Sequence, residues 1–356
     1  MRTYLGGVGT IVGLEIRQRM RGVAWYVLLG VFVTLVAAVT LLLWLASGGR
    51  DSGGWLYSLI VYFVLLLGTL VTPALSGNAI NGERDAGTLA TTQVTLMRTS
   101  QLVLGKFLAA WASSLAFLAA SIPFVVVAVL LGNLSGVTIV TSALVLAAEL
   151  GFVAAIGVGL SGIVTRPLFS VTLTYLAVAA LSVGTLIAFG LLGAVTRSEV
   201  HVSTIGIASA TFDETTGTPS DMVCMPPVET VHSVQRFDPY WGILAANPYV
   251  IIADAAPASF STNGGPNDLF SAVSFGVRSA QRAPDLAVTD NACAAATRGD
   301  VVPSESPSAR EIYDSAMPSW FVGLGFQLVL AAGALAWAWS RTRTPAKHLA
   351  KGSRVA

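Results

Sequence analysis

VAWYVLLGVFVTLVAAVTLLLWLA, Val23 to Ala46, contains no charged side chain. About 20 consecutive apolar residues are enough to cross the roughly 30 Å hydrocarbon core of a bilayer. A stretch this uniform has no polar face to offer water, so lipid is its natural solvent. Five further stretches read the same way: Trp55 to Ala74, Leu102 to Leu131, Val137 to Val164, Leu168 to Val195, and Trp320 to Trp339. The whole chain agrees, with 54% hydrophobic and 11% charged residues, against about 25% charged in soluble domains. The expected fold is an all-α membrane protein of six transmembrane helices. Pro123 inside the third predicts a kink or tilt. Only residues 132–136 separate the third and fourth, which predicts a tight hairpin.

Charge sets the expected orientation. Arg17, Arg19 and Arg21 precede the first span, and Arg84, Arg98 and Lys106 lie between the second and third. Arg166 lies between the fourth and fifth, and Arg341, Arg343, Lys347, Lys351 and Arg354 follow the sixth. In a six-span chain all of these fall on one side, which the positive-inside rule makes cytoplasmic. Both termini are then cytoplasmic and the chain is expected in the plasma membrane. The first apolar run is too long for a signal-peptide core and lacks a small-residue cleavage site. The expected division is a cytoplasmic amphipathic helix (1–22), five spans (23–195) with a coupling segment (78–101), an extracellular domain (196–316), the sixth span (317–340) and a basic tail (341–356).

The segment 196–316 carries six Arg, no Lys and fourteen Asp or Glu. Rich in Gly, Pro, Ser, Thr and Asp, it is expected to be a loop-rich domain. Cys224 and Cys293, the two cysteines of the chain, both fall in it. An oxidising exterior would let them pair; two buried free thiols are the alternative. YWGILAANPYVIIADAA, Tyr240 to Ala256, is too short and too broken by Pro248 to span. It is either an interfacial or re-entrant segment with Tyr240, Trp241 and Tyr249 at headgroup depth, or the domain's own apolar core, and periodicity does not separate the two.

On the other side, Val8, Ile11, Val12, Ile16 and Met20 recur at helical spacing, with Glu15, Arg17, Gln18 and Arg19 opposite them. This predicts a helix on the inner membrane surface, separated from the first span by a bend at Gly22; a cytoplasmic extension of that span is the other reading. The link from Asn81 to Lys106, NGERDAGTLATTQVTLMRTSQLVLGK, is too long for a turn, and links of this size are usually functional. Glu83, Arg84 and Asp85 cluster charge, Gly87 allows a turn, and Ser100 is placed to cap the third span. A solvated surface loop is the plain alternative.

The run from Asn81 through Leu89, with Leu104-Gly105-Lys106 following, resembles the corresponding segment of permease subunits in the ABC-type export family. Six spans, an amphipathic N-terminus and a large insertion before the last span are similar to that family as well. Asn247-Pro248-Tyr249 and Ala253 to Pro257 extend the resemblance weakly into the external segment. The resemblance implies that the link is a coupling element seated in a groove of a separate ATPase, with Glu83 bonding across the contact. Arg84 and Asp85 would lie alongside, and Gly87 and Thr88 would shape the turn. It implies two ABC ATPase subunits per complex and a second permease chain, identical or related. It also implies a path at the protomer interface, with Tyr175 and the hydroxyl-bearing Ser170, Thr172 and Thr174 on the fifth span as candidates to face it.

The chain has no phosphate-binding loop: Lys106 lacks both the upstream glycine and the following hydroxyl. ATP and Mg are therefore expected in the partner, with no cofactor in this chain, and an enzyme is not expected. His201, His232 and His348 all lie outside the spans, which leaves metal-dependent intramembrane hydrolysis without ligands. No nucleic-acid partner is expected; the bilayer is. Glu149, near the centre of the fourth span, is costly there. It either meets a polar substrate group on the path or makes a structural bond to a neighbouring helix, and Gly151, Gly157, Gly159 and Gly162 nearby favour close helix packing. Two functions follow from different classes. One is an exporter permease for a hydrophobic or amphipathic substrate. The other is a non-transporting receptor or scaffold with a ligand-binding ectodomain, in which the link tolerates mutation.

Overall fold

The computed structural model describes residues 4–47, 53–85, 98–132, 134–212, 219–262, 264–297 and 307–342. Six of its helices are long and apolar enough to cross a membrane: Val23–Ser47, Gly53–Ser76, Thr99–Leu131, Gly136–Ile163, Pro167–Val195 in three consecutive pieces, and Trp320–Thr342. This is the architecture of a multi-pass membrane protein. At 1.5 Å per residue each exceeds the hydrocarbon thickness. Pro123 sits inside an unbroken third span. A π turn, Ala180–Gly184, interrupts the fifth. Gly132, Leu134 and Ser135, between spans three and four, and the insert between spans five and six lie at one end of the bundle, here the insert end. The opposite end, the link end, carries the N-terminal helix and the connection between spans two and three.

The second and fourth spans form the centre, while the first and fifth are the most exposed. Between apolar helices in lipid there is little hydrophobic drive, so close packing and interhelical hydrogen bonds must hold the bundle. Both are present. A Cβ on Gly159 or Gly162 would come within 2.5 Å of Ala334 or Ala338 of the sixth span, so these glycines let the two backbones touch. Gly151 faces Trp111 of the third span and Gly157 faces Ser76 of the second. Tyr57 and Ser142 join spans two and four at 2.7 Å, and Thr72 donates to Ser114 of the third span at 2.9 Å.

The N-terminal helix, Tyr4–Arg21, is separate from the first span and ends at Gly22, as the bend predicted. Of the expected apolar stripe Val8 and Ile11 are buried, with Gly7 beside them, but Met20 is 50% exposed. The buried part of the stripe packs against the start of the third span, where Ile11 covers Gly105. Glu15 and Arg19, expected on the opposite face, reach Lys106 and Ser113 of the third span on the same side as Ile11.

The insert differs from the loop-rich domain expected. Among its described residues five strands form: β1 Arg197–Ile205, β2 Ile207–Phe212, β3 Pro219–Cys224, β4 Val228–Gln235 and β5 Ala287–Asn291. β1 is central in a three-stranded sheet, antiparallel to β4 and parallel to β5, with Val200 opposite His232 and Val202 opposite Val288. β2 and β3 pair as a separate antiparallel ribbon. The β-branched residues of β1 and β4 satisfy their backbones by strand pairing rather than in loops.

Cys224, at the end of β3, is bonded to Cys293 in the short helix Ala292–Thr297 after β5, with Cα atoms 5.6 Å apart. The bond staples the ribbon to the three-stranded sheet. With the cysteines separated by 69 positions in sequence, loop-closure entropy sets the bond's contribution at about 4 kcal/mol. A Cys224→Ser, Cys293→Ser double variant is expected to leave the spans helical but to open the insert. Limited proteolysis should then cut between residues 207 and 297 while circular dichroism keeps its helical signal; equal resistance in both proteins would refute this.

Tyr240 to Ala256 is resolved as two short helices, Trp241–Ala245 and Pro248–Ala255, that turn at Asn247. Ile251, Ile252 and Ala253 share a core with Phe32 and Val36 of the first span and Ile60 and Val64 of the second. The segment thus packs as a re-entrant pair among the spans, not as a core private to the insert. Asn247 donates from Nδ2 to the Ser182 carbonyl (2.6 Å) in the π turn and to Thr185 Oγ1 (2.9 Å), and its Oδ1 caps Tyr249 N–H. Gly323 brings the sixth span against the Ala245 carbonyl and Ile251.

Candidate functional site

At the link end, the second span runs through a turn at Gly77–Ile80 into a helix of one turn, Asn81–Asp85. Ile80 is fully buried among Val103, Ala154, Val158 and Ala338. The amides of Ile80 and Asn81 both donate to Ser161 Oγ, at 2.9 and 3.0 Å. Arg84 reaches the other way. Its guanidinium donates to Asn81 Oδ1 and to the Val164 and Gly162 carbonyls at 3.1, 3.2 and 3.4 Å. Those carbonyls are orphans at the C-terminal end of the fourth span, where a cation is favourable.

Lys106 lies about two turns inside the third span and is 1% exposed. Burying an ammonium group is costly unless it is paired. Here Nζ donates to Glu15 Oε1 of the N-terminal helix (2.5 Å) and to Glu83 Oε1 of the link helix (2.7 Å). Arg19 extends the cluster: it lies 3.8 Å from Glu15 and donates to Ser113 Oγ and the Leu75 carbonyl, both at 3.0 Å. Burial pulls the Arg19 guanidinium below its ordinary value, with Glu15 opposing. One ammonium therefore bolts together three elements that are distant in sequence.

Glu83, expected to bond across to a partner, bonds inside the chain to the buried ammonium of Lys106. Arg84 is engaged on the fourth span. Asp85 is exposed. Gly87 and Thr88 lie outside the described residues, as does the rest of 86–97. Ser100 does not cap the third span. The helix starts one residue before it, and Gln101 does the capping: its Oε1 accepts from Arg98 N–H at 2.8 Å, and its Nε2 donates to the Tyr4 carbonyl at 3.0 Å. A Gln three residues into a helix is a known signature of such a start, and it was present to be read.

The candidate path residues are not assembled. Ser170 and Thr174 are fully buried and Thr172 is exposed. The Tyr175 hydroxyl donates to the Leu70 carbonyl at 2.8 Å. Glu149 is 1% exposed and faces Gln327 of the sixth span. The cavity beside it is about 10 Å³ and is also lined by Thr69 and Pro248, but not by Tyr175. That volume is about enough for one water and far below what an amphipathic cargo needs.

No protein-family model matches this chain, and no curated protein matches it.

A second polar centre was not anticipated. Asp254, at the end of the re-entrant pair, is 2% exposed. Its Oδ1 accepts from Ser274 Oγ (2.5 Å) and Arg278 Nε (2.7 Å), and its Oδ2 accepts from Ser319 N (2.5 Å), Ser319 Oγ (2.9 Å) and Trp320 N (3.1 Å). Ser274 and Arg278 belong to the helix Leu269–Ser279 of the insert, while Ser319 and Trp320 open the sixth span. One carboxylate thus joins the re-entrant pair, the insert and a span N-terminus, where a negative charge is favourable.

Proposed function

We propose that the chain is the membrane-spanning subunit of an ATP-driven exporter, with ATP and magnesium bound by a separate ABC ATPase, two copies per complex, beneath two permease chains. The observation that carries this reading is the Glu15–Lys106–Glu83 joint. A link that only had to connect two spans could be slack. This one begins as a helix locked to the third and fourth spans and to the N-terminal helix, with the charged side chain of Asp85 presented outward. A push on such a link moves helices instead of bending a loop, which is what coupling to an external motor requires.

In this reading the link end faces the cytoplasm and the insert lies outside the cell, with the chain in the plasma membrane. The disulfide supports that side for the insert, since structural disulfides persist where conditions are oxidising. Lipid-like or amphipathic cargo is favoured by the apolar spans. The closed arrangement around Glu149 suits a resting state between transport events.

Affinity purification of the tagged chain tests the proposal. A nucleotide-hydrolysing subunit should accompany it in a one-to-one ratio. A Gly87→Pro variant should insert normally yet hydrolyse ATP without export. A chain that purifies alone, or normal export from Gly87→Pro, would instead favour a receptor or scaffold.

A further inference from the structure

Glu149 has a property that the coupling reading does not use. Its carboxyl is buried at the meeting point of four other elements, and Oε1 has no hydrogen-bond partner. Each element facing it offers no countercharge. The second span presents Thr69, the fifth Val178 and Leu181, the re-entrant pair Pro248, and the sixth span Gln327; the fourth span itself adds only apolar neighbours. Tyr249, the titratable neighbour on the re-entrant pair, is a phenol beside Thr69 and brings no cation. Thr69 itself donates to the Leu66 carbonyl at 2.9 Å, and Gln327 donates to the Ala246 carbonyl at 3.2 Å. A carboxylate here would be a buried charge without a cation, which is far costlier than a buried carboxylic acid. Pro248, which lines the cavity, and Ala246, whose carbonyl holds Gln327, belong to the re-entrant pair and not to a span.

We propose that Glu149 is a proton-binding site: its carboxyl holds a proton while the re-entrant pair is seated, and gives that proton to water when the pair lifts from spans two, four and six. The O–H bond breaks, the proton passes to water entering from the insert end, and the carboxylate remains, hydrated. Reseating the pair takes a proton back. Each opening and closing of the bundle thereby releases and rebinds one proton per chain, whatever drives the motion.

Infrared spectra of the purified full-length chain in lipid nanodiscs at neutral pH test this. The wild-type minus Glu149→Gln difference should show the carbonyl band of one protonated acid. Should Glu149→Gln fail to assemble, Glu149→Asp should shift the same band. Loss or shift of carboxylate bands in its place would overturn the proposal. Asn247→Ala, which unties the tip of the re-entrant pair from the π turn, should lose most of the protonated band and gain carboxylate intensity. A band unchanged in that variant would overturn the release step.

Discussion

Replacing Asp254 with alanine is expected to cost about 3–5 kcal/mol, the range for removing one partner of a buried pair. The carboxylate accepts five hydrogen bonds. Without it, Arg278, 7% exposed, keeps only the Tyr313 carbonyl at 3.2 Å and the face of the Tyr313 ring. Two amides at the start of the sixth span lose their acceptor as well. Thermal unfolding in detergent should show Asp254→Ala far below wild type, with an Asp254→Ala, Arg278→Met double variant recovering part of the loss, because it removes the stranded charge along with its partner. Equal stability of wild type and Asp254→Ala would refute the role of this centre. The same carboxylate predicts a pH effect. Burial pushes its pKa up, but the bonds from Ser274 and Arg278, the Arg278 charge and the Ser319 amide outweigh that and hold it below the ordinary 3.8. A depressed folded-state value means that the unfolded chain binds the proton more readily. The contribution is therefore complete above the ordinary value and is lost as pH falls through the folded one. Wild type should lose stability below about pH 4, with a slope that is reduced in Asp254→Asn.

The spans were legible because their formation is a question of solvent. Twenty apolar residues decide it without reference to any partner, and the second span, expected over 55–74, occupies Gly53–Ser76. The disulfide was half legible: two cysteines in one segment permit one pairing, but the sheets that bring them together were missed. Gly, Pro, Ser and Thr dominated the reading of the insert, although EVHVST, Glu199 to Thr204, alternates with valines as a strand should. The polar joints were not legible, and for a different reason. Lys106 and Glu15 are 91 residues apart, and Asp254 and Ser319 are 65 apart. Nothing local distinguishes Asp254 from the thirteen other acidic residues of the insert. Which carboxylate ends up buried is decided by the fold that buries it. The same holds for Glu83, whose local setting in a charged cluster suggested an outward role while its partner lay a span away.

Lys106→Met is expected to have the largest effect on function. Of the three ions at the joint, Lys106 is the one at 1% exposure, whereas the side chains of Glu15 and Glu83 are 15% and 29% exposed. Removing the ammonium leaves two carboxylates aimed at the same vacated point. Their partial access to water softens the penalty, so a stability loss of about 3 kcal/mol is expected, at the low end for a buried pair. The mechanical consequence is larger. The link helix loses its ion pair to the third span, and the N-terminal helix keeps the bonds of Arg19 to Ser113 and of Gln101 to the Tyr4 carbonyl there. The hydrogen bonds of Ser161 and Arg84 still hold the link to the fourth. If the link is a lever, Lys106→Met should keep its ATPase partner and hydrolyse ATP with little export. A neutral triple variant, Lys106→Met with Glu15→Gln and Glu83→Gln, separates folding from transmission. It strands no charge, so its unfolding temperature should return most of the way to wild type. Export should stay low, because amide contacts around a thioether do not replace two charge-assisted bonds of 2.5 and 2.7 Å. Wild-type export from the triple variant would mean that the three elements need only to pack, and that the force reaches the spans by another route.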